Sequence, residues 1–142
     1  MDIGKLDTVS ACNAGAEIEL MHPVTQQRLG IFITVLGKDS DVCREHFRTT
    51  VNENLRKAAM AKKRGKDEEV QTYEKSLERG IDLLVACTLG WRTVEDGQET
   101  PTITMNGEAM AYTKANAKRL YEAMPWIKTQ VDEAIVDLEN FI

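Results

Sequence analysis

The side chains able to do chemistry are few and scattered along the 142 residues. Two histidines, His22 and His46, and three cysteines, Cys12, Cys43 and Cys87, supply all the imidazole and thiol groups. Cys43 and His46 stand three apart, so on a helix they share a face and could offer two ligands to one metal ion. A structural zinc site takes four, and no second Cys or His pair at suitable spacing supplies the rest. Cys43 also falls on an apolar stripe, where a small buried hydrophobe is the ordinary role for cysteine. Cys87 lies in the most apolar part of the chain, and burial would raise its pKa and make it a poor nucleophile. Cys12 has no histidine near it in sequence, and nothing marks a Cys–His catalytic pair. Three cysteines without regular spacing do not make a disulfide framework, so a reducing cytoplasm is the expected environment.

The glycines stand singly, so no phosphate-cradling loop is present. Glu17 and Glu19 read as the wet face of a strand, and Glu68 and Glu69 as the start of a helix. The expectation is therefore no catalytic residue, no cofactor and no metal, and a protein that is not an enzyme. The net charge of −5 repels polyanions. A basic corner at Arg56, Lys57, Lys62, Lys63, Arg64 and Lys66 could be read as a nucleic-acid patch. Asp67, Glu68 and Glu69 beside it weaken that field, and no interleaved aromatic residues offer a stacking surface. These charges also complement the dipoles of a helix ending and a helix beginning there. No nucleic-acid partner is expected, and no membrane partner either. No apolar run approaches the ~20 residues that span a bilayer, and the N-terminus lacks the basic start and apolar block of a secretory signal.

The length suits a single domain over residues 1–142 with a real core. The stretch from Lys66 to Trp91 organises it. Val70, Tyr73, Leu77, Ile81, Leu84, Val85 and Leu89 recur at steps of three and four, predicting a helix whose C-terminal half is buried on several sides. Before it, residues 1–14 read as a loosely held arm. Residues 16–36 read as an antiparallel β-hairpin: Glu17 and Glu19 alternate with Ile18 and Leu20, Pro23 breaks the run, and Leu29–Leu36 is rich in β-branched residues. That second run is nearly apolar throughout, which predicts cover on both faces, one by helices and the other by a partner. Asp39-Ser40-Asp41 then starts a helix with Cys43, Phe47, Val51, Leu55 and Ala58 on its inner face. Gly65 stops it, so residues 40–90 form an αα-hairpin.

Residues 91–112 carry turn signals at Asp96-Gly97, Pro101 and Asn106-Gly107. Asn-Gly between TITM and EAMAY allows a small type I′ hairpin, and a plain loop fits equally well. Thr113 caps a helix with Ala117, Leu120, Tyr121 and Met124 inward. Pro125 suits the first turn of another helix, with Ile127, Val131, Ala134, Ile135 and Leu138 on one face, so residues 113–142 form a C-terminal helix pair. The fold class is α+β, mainly α: an N-terminal β-hairpin packed on a four-helix core of two αα-hairpins, with a possible small second hairpin between them. Trp91 and Trp126 either pack together at the base of that bundle or anchor a partner, tryptophan being enriched at interface hot spots.

Three stretches resemble the tail assembly chaperones of long-tailed bacteriophages. They are HPVTQQRLGIFITVLGKDSD from His22, LLVACTLGW from Leu83, and YTKANAKRLYEAMPWIKTQVDEAI from Tyr112. They are spread along the chain from residue 22 to residue 135, in the order that family shows. The resemblance is one of architecture, without a catalytic signature. It implies a non-enzymatic protein of the host bacterial cytoplasm that binds the tape measure protein and helps tail-tube protein polymerise around it. Such a role needs exposed apolar surface, and the candidate partner-binding residues are Leu29, Ile31, Ile33, Val35, Trp126, Phe141 and Ile142. Self-association is a further expectation. The competing readings are a structural tail or connector subunit that stays in the virion and, behind it, a small nucleic-acid-binding regulator.

Overall fold

The structure, a computed structural model, describes residues 1–63 and 73–142, and side chains outside 61–74. The Glu17/Ile18/Glu19/Leu20 alternation forms strand β1 (Ala16–Met21), which pairs antiparallel with β2 (Arg28–Val35). Ile18 stands opposite Ile33 and Glu19 opposite Phe32. The connection is held by an imidazole as well as by Pro23. His22 Nδ1 accepts hydrogen bonds from the backbone N–H groups of Val24 and Thr25, both at 3.1 Å. Gln26 takes a positive φ of 61° to complete the turn.

The chain departs from the predicted bundle after Cys87. Helix α3 (Tyr73–Cys87) stops four residues short of Trp91, and Thr88–Glu95 becomes strand β3. It pairs antiparallel with β2, with Trp91 opposite Ile33 and Arg92 opposite Phe32. The reason is a competition between local and tertiary preference. Leu89 fits the helical spacing, but Gly90 weakens a helix and Thr88, Thr93 and Val94 favour a strand. The free edge of β2 supplies a row of backbone partners that one more helical turn could not. Asp96 and Gly97, with φ of 51° and 77°, turn the chain into β4 (Gln98–Thr100), giving a sheet in the order β1-β2-β3-β4. The N-terminal hairpin is thus half of a four-stranded sheet.

Helix α2 (Asp41–Lys63) precedes α3. Arg79 on α3 ties the two together, donating to Asn54 Oδ1 at 2.8 Å and lying 3.7 Å from a Glu53 carboxylate oxygen. The predicted stop at Gly65 and the charged residues Arg64 and Lys66–Glu69 lie outside the described residues. The N-terminal segment forms two short helical turns, exposed over residues 1–7 and held to the rest of the chain through α1. Ile3–Leu6 makes a 3-10 turn and Thr8–Ala14 forms α1, with Asp7 as its N-cap. Asn13 exchanges two hydrogen bonds with Asp41 at the start of α2, and Cys12 is fully buried. What fixes it is the close approach of Gly37, whose N–H donates to the Cys12 carbonyl at 3.2 Å. A Cβ on Gly37 would overlap the Cys12 sulfur and press on the Phe141 ring. Gly37→Ala is expected to cost about 1–3 kcal/mol by forcing that contact apart. A urea melt checks it, and an unchanged midpoint would show that α1 yields freely.

Asn106 and Gly107 take positive φ (52° and 81°) and join β5 (Thr102–Met105) to β6 (Glu108–Ala111), so the small hairpin forms and the loop alternative falls away. Thr113 caps α4 (Lys114–Ala123), accepting from the Asn116 N–H at 3.0 Å, and Pro125 opens α5 (Pro125–Val136). The core draws Leu20, Ile33 and Val35 from the sheet and Ile81, Leu84 and Cys87 from α3. It is completed by Ile103 and Met110 from the small hairpin and by Leu120, Tyr121, Ile127, Val131 and Ile135 from the last two helices. Among the described residues the class is α+β, with five α-helices and six strands. Trp91 packs edge-on to Tyr112, ring centroids 5.2 Å apart, while Trp126 lies half-buried against the core.

Tyr121 is the core's titratable group. Its hydroxyl shares a 2.6 Å hydrogen bond with the Thr88 hydroxyl, which also donates to the Leu84 carbonyl. Burial pushes its pKa up to about 12, against a smaller opposing pull from the Thr88 hydrogen bond. Burial raises Tyr112 as well. The folded state thus holds the phenolic proton more tightly than the unfolded chain. That contribution is complete below pH 10 and is lost as pH rises towards 12. Alkaline unfolding is expected in this window, and Tyr121→Phe should shift it upward. A melt series from pH 9 to 12 with an identical profile for the variant would contradict this.

Candidate interaction surfaces

The seven residues proposed from sequence as a partner surface do not form one patch. Leu29, Ile31, Ile33 and Val35 share one face of β2, but that face lies against the helices. Ile33 and Val35 are fully buried within the chain's own core, so they leave the candidate surface. A solvent-borne partner cannot reach side chains already packed between the sheet and its helices. Leu29 and Ile31, nearer the start of the strand, are half-buried. Trp126 belongs to the same end. Gln130, one turn further along α5, donates from Nε2 to the Met21 carbonyl at 2.8 Å and accepts from the Met21 N–H at 2.9 Å. Met21 in turn pairs with Arg28, next to Leu29. Gln130 thus occupies the free edge of β1 as a short stand-in for a strand. Phe141 and Ile142 sit at the far end, beside Gly37. Phe141 is half-buried and Ile142 is 62% exposed.

The outer face of the sheet is polar and internally paired. Arg92 grips Glu17 with two hydrogen bonds, from Nε at 2.8 Å and Nη2 at 2.6 Å. Its guanidinium lies 4.3 Å above the centre of the Phe32 ring. Glu99 approaches it from β4 at 3.6 Å. The Arg92 hydrogen bonds hold the Glu17 carboxyl below the usual carboxylate range and raise the guanidinium in return. Glu19 accepts from the Gly30 N–H at 3.0 Å. An open groove of about 650 Å³ runs between this face and α5, bordered by Glu17, Glu19, Phe32, Glu133 and Asp137. Glu17 and Glu19 are already committed to partners within the sheet.

Cys43 and Cys87 were expected as separate buried thiols; the fold instead joins them, so the cysteines no longer argue for a reducing environment. The base of α2 and the end of α3 bring their Cα atoms to 6.5 Å, and the sulfurs form a disulfide across a sequence separation of 44. Cys12 remains free and buried. Each cysteine is internal because its helix face points inward, so the stripe position of Cys43 was the right signal, and only its partner was hidden. With Cys43 so engaged, the Cys43–His46 pair does not present two ligands. Among the described residues no cluster of three His, Cys, Asp or Glu side chains is placed to hold a metal ion.

The surface that sequence reasoning missed is on α2. Phe47, Val51 and Leu55, expected as its inner face, are 53%, 52% and 64% exposed. The buried direction of the helix is set by Cys43 and the half-buried Thr50, roughly 80–100° around the axis from Val51 at 100° per residue. A signal was present in the sequence. Arg44 and Arg48 lie within about 60° of Val51 on the same wheel, and a core-facing stripe is seldom bordered so closely by charge. Among the described residues, no helix is long and apolar enough to cross a membrane. Compared with known proteins, the chain matches no family model, no curated protein and no solved structure.

Proposed function

We propose that the chain is a tail assembly chaperone of a long-tailed bacteriophage or prophage, a non-enzymatic protein without a cofactor. It binds the tape measure protein in the host bacterial cytoplasm and promotes polymerisation of tail-tube protein around it. The observation that carries this reading is the large apolar side chains left exposed on an otherwise well-packed chain, at Phe47, Val51 and Leu55 on α2 and at Ile142, with Leu29, Ile31 and Trp126 half-buried against the core. Large side chains in solvent mark interaction surfaces, and a long, apolar-rich client that would aggregate alone needs such a surface to cover it. The three stretches that resemble the family build β1's turn and β2, the α3–β3 junction, and the α4–α5 pair. The resemblance therefore falls on the framework of the molecule.

The client is assigned to the end of the sheet that carries Leu29 and to Trp126 on α5, whose Gln130 is bonded to Met21 there. Co-expression with the protein of the large open reading frame downstream tests the reading. A soluble complex is expected where the long protein alone is insoluble, with recovery at least tenfold lower for Trp126→Glu at an unchanged melting temperature. A long protein that is soluble alone and ignores this chain would end the chaperone reading. Detection of the chain at stoichiometric level in purified virions would favour a structural tail subunit.

A further inference from the structure

We infer that the free edge of β1 accepts an extended segment of a partner protein as an added strand, antiparallel to β1 and carrying lysine or arginine at alternate positions. β1 is the outermost strand of its sheet. Gln130 shows which of its backbone groups face outward, because its side-chain amide takes both the N–H and the C=O of Met21. The next N–H, of His22, turns inward to the Gln27 carbonyl. Backbone groups alternate between the two edges of a strand, so Glu19 and Glu17 offer theirs on the same side as Met21. The irregular register between β1 and β2 does not disturb this alternation. From Glu19↔Phe32 to Met21↔Arg28 the chain takes two steps on β1 and four on β2, so the extra residues belong to β2. Among the described residues, no side chain repeats the Gln130 contact at Glu19 or Glu17.

The groove beside this edge supplies the charge that selects the occupant. It holds about 650 Å³ between β1 and α5, is bridged by Gln130 at Met21 and extends past Asp137 to Asn140. Glu133 and Asp137 form its α5 side, both exposed. Neither pairs with a cation among the described residues. Asp137 accepts from the Glu139 N–H through one oxygen and keeps its charge. Four residues of helix set the two carboxylates about 6 Å apart along α5, and alternate residues of a strand stand about 6.8 Å apart. Cations at every second position therefore come level with both.

Antiparallel pairing also fixes which positions these are. Residues directly opposite Glu19 and Glu17 bond to them through the backbone and turn their side chains to the same outer face, which borders the groove. Glu17 and Glu19 contribute backbone groups only, since their carboxylates stay with Arg92 and the Gly30 N–H. Arg28 lies at the Met21 end, 3.9 Å from Glu19, and leaves the Asp137 end to the partner's cations. A second copy of β1 does not suit the edge. It would set Glu17 and Glu19 of the two copies against each other, and like charges directly opposite destabilise a strand pair.

A fluorescent decapeptide alternating lysine with valine tests the edge by anisotropy against the full chain, at about 20 mM salt to limit screening. Saturable binding is expected, and the glutamate–valine counterpart should not bind. Methylating the lysine backbone nitrogens removes the N–H groups that face β1 and should weaken binding at least tenfold. Methylating the valine nitrogens, which face away, should weaken it much less. Glu133→Gln combined with Asp137→Asn, which keeps the Asp137 cap oxygen, removes two exposed ion pairs. That variant should raise the dissociation constant about fivefold at an unchanged melting temperature. Absence of saturable binding by the lysine–valine peptide overturns the proposal. Equal losses from the two methylation patterns overturn it too, since charge alone would then hold the peptide, as does a double variant that binds like the wild type. Leu29 and Trp126 do not line the groove, and no readout involves the tape measure protein, so this inference and the chaperone reading fail independently.

Discussion

Trp91→Ala is expected to lower the unfolding free energy by about 3–5 kcal/mol, the range for truncating a buried aromatic residue. Trp91 lies near the centre of β3, opposite Ile33, and is almost wholly buried. Three losses coincide there. Removing the ring opens a cavity between the sheet and the small hairpin, and the packing around it can collapse only in part. The Nε1–H bond to the Met110 carbonyl, 3.0 Å long and buried, disappears. The edge-on contact with Tyr112 goes with it. Trp91→Phe separates these effects, since it keeps most of the volume and forfeits the hydrogen bond, for an expected cost of about 1–2 kcal/mol. Urea unfolding of both variants gives the comparison. A cost below about 1 kcal/mol for alanine would mean that Trp91 is not the joint between the sheet and β5–β6.

The Trp91 prediction turns on a residue whose surroundings the sequence shows only in part. Segments with one dominant local signal are legible: the Glu17–Leu20 alternation, the Thr113 cap, Pro125 at the start of α5, and the positive-φ pair at Asn106-Gly107. Where local signals conflict, the outcome is set by what the rest of the chain offers. Leu89 through Val94 fits a helical ending by spacing and a strand by composition. The open edge of β2, distant in sequence, decides in favour of the strand. Position along an apolar stripe likewise says that residues share a face without saying which neighbour covers it. Cys43 and Phe47 stand on one such stripe, yet Cys43 is fully buried and Phe47 is more than half in solvent. Beyond Cys43 no residue of α2 up to Met60 is fully buried. The same limit explains Ile33 and Val35, where a continuous apolar strand was assigned partly to an outside partner although the chain's own helices fill that face.

Reduction of the Cys43–Cys87 disulfide is expected to cost about 4 kcal/mol. That is the chain-entropy value for a closed loop of roughly this length, across a sequence separation of 44. The bond closes the α2–α3 segment at its base, where Cys43, Cys87 and Leu84 belong to one core cluster. Releasing it enlarges the unfolded ensemble more than it disturbs the folded one. Both sulfurs are fully buried, so reductant reaches them only through an opening of the α2–α3 base. Reduction of the native protein should therefore be slow and should speed up with sub-denaturing urea. Equilibrium unfolding with and without reductant gives the energy. Cys43→Ser, measured without reductant, should also lie below the oxidised wild type. Cys12, free and buried, serves as an internal control, because Cys12→Ser should leave the reductant dependence intact. Equal midpoints for oxidised and reduced wild type would show that the staple contributes nothing. The α2–α3 pair would then rest on core packing and on the Arg79 contacts alone.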